Sequence, residues 1–387
     1  MTWECTDRGG PLAGLRVLEL AAIGPVPFAA RLLADLGADV VRVERPRRGA
    51  VAEALNVEGM SRGQRSVGID LKHGGGAPVV LALAAEADVL LEGFRPGVAE
   101  RLGLGPEDCR ERNLRLVYGR MTGWGQAGPL AQAAGHDINY LALSGALHAF
   151  GPADGPPLPP LNLVADYGGG GMLLAVGVLA ALVERARSGA GQVVDAAMVD
   201  GAALLMSLVY VLRGTGQWSV ERGGNMLDGS APFYRTYETL DGGFVAVGAV
   251  EPQFFAALVE RLGQPELAPR QYDRASWPEL TKVLSEAFLG RTRDSWTAVF
   301  EGSDACVTPV LSVDEAPSHP HSQARQSFGA DRQPAPAPRF DRSGTGSSLG
   351  APRPGEHTAE LLSGLLPDDE LSRLFDAGVL WQPVVQQ

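Results

Sequence analysis

The sequence predicts an α/β chain: a large Rossmann-like domain on a parallel sheet, with a smaller α+β domain toward the C-terminus. Three observations lead there. Strand-length apolar runs alternate with segments of helical spacing through the first hundred residues. The strand–helix–strand rhythm repeats, which implies parallel strands joined by right-handed crossovers. A separate group of strand and helix signals then occupies about 225–315.

Taken in order, "LRVLEL" (15–20) reads as the first strand and "IGPVP" (23–27) as a turn. "FAARLLADLG" (28–37) reads as a helix closing at Gly37, and "ADVVRVE" (38–44) resumes a strand. "SVGIDLK" (66–72), "APVVLALAAEA" (77–87) and "DVLLEGF" (88–94) repeat the pattern as strand, helix and strand. "GGGG" (168–171) opens an apolar helix over 172–189 with Gly189 as its C-cap. "GGFVAVGAVEPQFFAALVERLG" (242–263) gives a strand, a short break and a helix. The Pro-, Gly- and Ser-rich stretch 332–357 reads as an extended connector, and 357–380 as an amphipathic helical pair. The domain boundaries implied are 1–224, 225–315 and 316–387.

Composition narrows the function classes. Of 387 residues, 45% are hydrophobic and 20% charged, which is a globular balance. The net charge of −12 argues against general nucleic-acid or anionic-membrane partners, though a few local arginines suffice for an anionic small molecule. No run approaches the roughly 18 apolar residues that span a bilayer, and "MTWECTDRGGPL" lacks the apolar core of a signal peptide. A cytoplasmic location is expected. Cys5, Cys109 and Cys306 are far apart without C-x-x-C spacing, so neither a disulfide framework nor a zinc knuckle is expected. "SHPH" (318–321) is a weak metal signal, with Pro320 between its histidines and no cysteine partner nearby. The turn "AAIGPVP" (21–27) lacks G-x-G-x-x-G, and "GGGG" lacks the Lys-Ser/Thr of a phosphate loop. A nicotinamide or flavin enzyme is therefore disfavoured.

Chemistry-bearing residues concentrate in "AGHDINYLALSG" (134–145). Taken alone, His136–Asp137 reads as a helix start, with Asp137 as cap and Ile138, Leu141 and Leu143 buried. Other segments change its weight. "GLRVLELAAIGPVPFAARLLADLGADVVRVERP", "DLK", "EGFRPGVAERLGLGPE", "RMTGWGQAGP", "GHDINYLALSG", "PPLNLVADYGGGGM", "GQVVDAAMVDG" and "VAVGAVEPQFF" occur in that order. Together, from about Gly10 to at least residue 340, they resemble the α-methylacyl-CoA racemases, a branch of the family III CoA-transferase (CaiB/BaiF) superfamily.

The resemblance implies a Rossmann-like CoA-binding domain completed by the C-terminal residues, and two subunits interlocked as a homodimer. It implies catalytic bases at His136 and Asp166, with Glu251 near the histidine and Asp137 in its hydrogen-bond network. It further implies a CoA pocket lined by Arg45, by Gly68, Ile69, Asp70 and Leu71, by Glu92, Gly93 and Phe94, by Arg101, and by Gly135, His136, Asp137, Ile138, Asn139 and Tyr140. No metal or organic cofactor is implied, CoA being part of the acyl-CoA substrate.

The residue types suit that chemistry. Racemising the carbon beside a thioester needs a base on each face of a planar enolate, and a His and a carboxylate can both be tuned toward working pH. The glycines after Asp166 would let a thioester approach, and their N–H groups would stabilise an enolate oxygen. Glu251 would orient His136; alone, it reads as a helix-start residue beside Pro252. Met172, Met206 and Met226 would offer an adaptable apolar surface or simply fill core. Two rivals remain at this stage. A CoA-transferase of the same superfamily would use Asp166 as a nucleophile, and a silent CoA-ester binder would keep the fold without needing its bases.

Overall fold

The computed structural model describes Trp3 and residues 9–46, 57–346 and 349–383. The chain forms two compact units. The first comprises Met1–Ala146, Pro160–Met206 and Pro336–Gln387, the second Leu147–Pro159 and Ser207–Ala335.

The first unit opens with β1 (Arg16–Leu20), α1 (Pro25–Asp35) and β2 (Asp39–Glu44). Gly24, at φ 74°, makes the turn into α1, and Pro25 sits at the first helical position, where a missing N–H costs nothing. There follow β3 (Gln64–Ile69), α2 (Gly76–Glu86), β4 (Val89–Glu92), α3 (Val98–Arg101), α4 (Pro106–Arg110) and β5 (Val117–Thr122). Next come α5 (Asp137–Leu143), a π-helix (Leu163–Met172) running into α6 (Leu173–Ser188), β6 (Val193–Ala197) and α7 (Met198–Leu205).

The sheet order is β10-β3-β2-β1-β4-β5-β6, with β10 at Leu380–Trp381. β1 to β6 are parallel, and Val17 pairs with Val40 on one side and Val89 on the other. β2 to β5 are buried along their whole length, and the charges they carry there are ion-paired, Arg42 to Glu19 and Glu44, Arg65 to Asp39 and Arg120 to Glu92. Strand order reverses between β1 and β4. That is where open α/β sheets place a ligand crevice, beyond the strands' carboxyl ends.

Several expectations are corrected. β3 and β4 stop earlier than the apolar runs suggest, because the Asp70 and Glu92 carboxylates accept the N–H of Lys72 and Phe94 and turn the chain. The C-terminal segment does more than form its helical pair, α13 (Thr358–Ser363) and α14 (Asp368–Asp376). β10 follows and pairs antiparallel with β3, covering that sheet edge. Thr358 pins it, its hydroxyl accepting from Gly68 N–H and donating to Trp381 O. The glycine run does not open a helix; it lies inside the π-helix. Together with α6 it makes one 26-residue stretch, Leu163–Ser188, long and apolar enough by length and composition to cross a membrane. Three of its glycines admit close neighbours, Gly169 from α7, Gly171 from α1 and Gly177 from β6.

In the second unit, α8 (Ser207–Gly214) has no buried residue. β7 (Tyr234–Glu238), β8 (Phe244–Gly248) and β9 (Val307–Pro309) form an antiparallel sheet. α9 (Pro252–Arg261), α10 (Trp277–Phe288) and α11 (Arg293–Phe300) complete a core rich in aromatic rings, among them Phe233, Phe255, Trp277 and Trp296. The sequence starts this unit at residue 225, whereas 147–159 and 207–224 also cluster with it. Arg222 shows why, its guanidinium donating to the carbonyls of His148, Pro152 and Gly155. "SHPH" is a helix start: His319 caps α12 (Pro320–Ala324), its Nδ1 accepting from His321 N–H.

Candidate active site

A cleft of about 550 Å³ opens at the carboxyl ends of β1, β4 and β5. The β1–α1 turn (Ala22–Pro27), Gly93–Pro96, Met121–Trp124, Gly135, His136, Tyr140, Asn162, Asp166, Tyr167 and Met198 all contribute to its wall.

His136 reaches the cleft because it is the N-cap of α5, with extended backbone. Its N–H donates to Asn139 Oδ1 at 3.0 Å, and its carbonyl accepts the Asn139 N–H at 2.8 Å. The platform beneath it is stiff. Tyr140 donates its hydroxyl to Gly135 O at 2.5 Å and meets the Trp124 ring edge-on at 4.7 Å. Gly123 leaves room for the Tyr140 ring, which a Cβ there would overlap.

Asp166 comes from the π-helix, a wide turn that recurs at functional sites. It is half-buried, and Asn162 Nδ2 donates to its Oδ2 at 3.2 Å. Gly24 passes so close that a Cβ there would stand 3.3 Å from the same oxygen. Burial pushes the Asp166 carboxyl above its ordinary range, and the neighbouring Asp137 charge adds to that. The Asn162 donor and His136 oppose the shift. Asp137 is not the cap of α5, since that place belongs to His136. It is the first helical residue, 6% exposed, and its Oδ2 accepts the N–H of both Ala165 and Asp166 at 2.8 Å.

The structure thus brings His136, Asp166, Gly93, Phe94, Gly135 and Tyr140 to one cleft, and leaves other sequence candidates outside its wall. Gly68 and Ile69 lie in β3 beside β10, and a Cβ on Gly68 would overlap Trp381. Asp70 and Leu71 form the turn that follows. Glu92 is fully buried, ion-paired to Arg120 at 2.9 Å. Arg45 is exposed just past β2, and Arg101 is exposed at the end of α3. Ile138 is exposed on α5, and Asn139 is engaged in holding the helix start. Glu251 belongs to the second unit, where it is the exposed N-cap of α9.

The glycine run is another correction. Gly169 packs against Gly201 and Ala202, Gly170 against Met198 and Pro25, and Gly171 against Phe28 and Pro25. Their N–H groups belong to the π-helical ladder and the run is not part of the cleft wall. Helix packing, not approach of a thioester, is what requires glycine there.

Sequence reasoning missed Arg95, Asn162, Trp124 and the thioethers Met60, Met121 and Met198, which all face the cleft. Arg95 is exposed there, and its guanidinium makes no hydrogen bond or ion pair among the described residues. Its only sequence signal is its place after "EGF". The methionines singled out by sequence lie elsewhere: Met172 is 51% exposed, and Met226 packs against the core of the second unit. Arg42 also faces the cleft, but it is held by the buried carboxylates of Glu19 and Glu44.

Comparison with known proteins adds to this geometry. The profile of CoA-transferase family III matches residues 12–358. The chain is 48% identical over 357 residues to the alpha-methylacyl-CoA racemase of Mus musculus, covering 91% of this chain and 92% of that protein. It is 46% identical to the alpha-methylacyl-CoA racemase of Homo sapiens, with the same coverage. Among solved structures, a CAIB/BAIF family protein from Brucella suis superposes with a TM-score of 0.79 at 28% identity, covering 93% of this chain and 100% of that one.

Proposed function

The chain belongs to CoA-transferase family III, and from its 48% and 46% identity to two alpha-methylacyl-CoA racemases we propose that it interconverts the (R)- and (S)-forms of 2-methylacyl-CoA thioesters. The observation that carries this reading is the meeting of His136 and Asp166 in one cleft from two separate helices.

The thioester carbonyl acidifies the adjacent carbon, so the reading calls for no metal or organic cofactor. One group removes the α-proton from one face, leaving a planar enolate, and the other delivers a proton to the opposite face. In the reverse direction the roles exchange. Each must therefore serve as acid and as base, and burial raises the Asp166 carboxyl above its ordinary range, which makes its protonated form more accessible. Glu251 keeps the role of orienting carboxylate for a histidine within this reading.

Arg95 supplies an uncommitted cation for the CoA phosphates at the cleft, with Arg45 and Arg101 as further candidates. Ile23, Val26, Phe94, Met121 and Met198 offer an apolar, deformable wall to the acyl chain. The reading includes a homodimer in the cytoplasm, without nucleic-acid or membrane partners. Val176 and Val183 on α6 are 61% and 66% exposed, Leu204 and Leu205 on α7 are exposed as well, and a second copy would cover such a surface.

The family itself carries a second reading, in which Asp166 attacks the thioester carbonyl. CoA thiolate would depart and leave a mixed anhydride, and its return to the aspartyl carbonyl would expel the donor carboxylate and form an aspartyl-CoA thioester. An acceptor carboxylate would then displace CoA to form a second anhydride, and attack of CoA thiolate on the acceptor carbonyl would release the new thioester and free Asp166. One experiment separates the two. Incubation of an enantiopure 2-methylacyl-CoA in D2O, without and then with a free carboxylic acid, should give α-deuteration with epimerisation and no CoA migration. CoA migration without α-exchange would instead establish the transferase.

A further inference from the structure

We propose that Asp137 is a positioning residue for Asp166 rather than for its sequence neighbour His136. The inference rests on the two-base reading above and goes beyond it in assigning which base Asp137 serves.

The two neighbours diverge at the start of α5. Extended backbone at His136 leaves its side chain exposed at the cleft, and the first helical turn carries Asp137 inward to nearly complete burial. There the carboxylate takes no hydrogen bond from His136. Its Oδ2 accepts two successive N–H groups, of Ala165 and of Asp166 itself, both at 2.8 Å. Its Oδ1 is buried without a donor among the described residues. Both bonds therefore converge on the backbone that carries the second base, and bonds to an ionised acceptor are stronger than neutral ones.

The π-helix explains why such a partner is needed. The N–H groups in the first turn of a helix have no acceptor within it, and the residue before the helix ordinarily provides one. Here that residue, Asn162, makes no capping bond and gives its amide to the Asp166 carboxylate instead. Asp137 does the capping from 28 positions upstream in sequence. One carboxylate thus fixes the Asp166 backbone while leaving Asn162 free to hold its side chain. The same burial places a negative charge near Asp166, consistent with the upward push on that carboxyl.

The test uses exchange of the α-proton from each enantiomer in D2O. His136→Ala and Asp166→Ala, taken first, should each abolish exchange from one enantiomer and spare the other, which assigns a face to each base. If neither variant discriminates, the two-base reading fails, and this proposal with it. Given the split, Asp137→Ala should slow exchange on the Asp166 face by about a hundredfold, the scale of a misplacement near 1 Å. The His136 face should stay within about threefold, and so should KM on either face. Asp137→Asn keeps an oxygen that can accept both N–H groups and should restore the Asp166 face to within about fivefold. Should Asp137→Ala not fold, Asp137→Ser, too short to reach both N–H groups, makes the same comparison. Equal losses on both faces, a loss confined to the His136 face, or an Asn variant as slow as Ala would overturn the assignment.

Discussion

Asp166 shows how much chemistry depends on the neighbours of a single side chain. The Asn162 amide favours its ionised form, against burial and the Asp137 charge. Removing that donor in Asn162→Ala should therefore raise the Asp166 pKa further. Proton abstraction by Asp166 needs the carboxylate, so the rate in that direction climbs as pH rises through its pKa. The rising limb of kcat/KM should move to higher pH in the variant, as a pH–rate profile with the enantiomer served by Asp166 would show. A limb unmoved or displaced to lower pH would remove Asn162 from the site. Distinctive motifs single out His136 and Asp166 in the sequence, and the structure brings both to one cleft. The partner of Asp137 was not legible there, because nothing near "GHDINY" points to backbone 28 residues away.

Among the elements, the π-helix and α7 are the pair that the sequence left hidden. A Cβ on Gly201 would overlap the carbonyl oxygen of Gly169, a contact of backbone on backbone with no flexible side chain to yield. Gly201→Ala should therefore destabilise the fold by about 3 kcal/mol, in the range of core overpacking, and displace the helix that carries Asp166. Gly214→Ala is its control. Gly214 ends α8 with open space around it, and alanine there should be neutral or stabilising by up to about 1 kcal/mol. Denaturant titration of both variants checks the pair. A Gly201 variant as stable as the parent would mean the two helices separate without cost. The sequence presents four consecutive glycines as a close approach to a ligand. Only the packing shows that the close approach is to other helices.

For the whole molecule, the exposed apolar surface makes association the measurable property. Sedimentation at micromolar concentration should report the mass of two chains. Replacing Val176 and Val183 together by Glu should shift that mass toward one chain, since both are exposed in the single chain and a charge there opposes only association. A wild-type chain that sediments as a monomer would end the dimer proposal.

The sequence by itself determined the α/β class and most of the helices and strands in the first unit, and it singled out His136 and Asp166, which the structure brings to one cleft. These follow from local periodicity, turn residues and short motifs, each contained within a few consecutive positions. Tertiary structure alone decided where β3 finds its second neighbour, which arginines face the cleft, and what the glycines touch. It also decided which base Asp137 contacts. Each depends on segments far apart in the chain meeting at ångström distances, and no local pattern of residues encodes such a meeting.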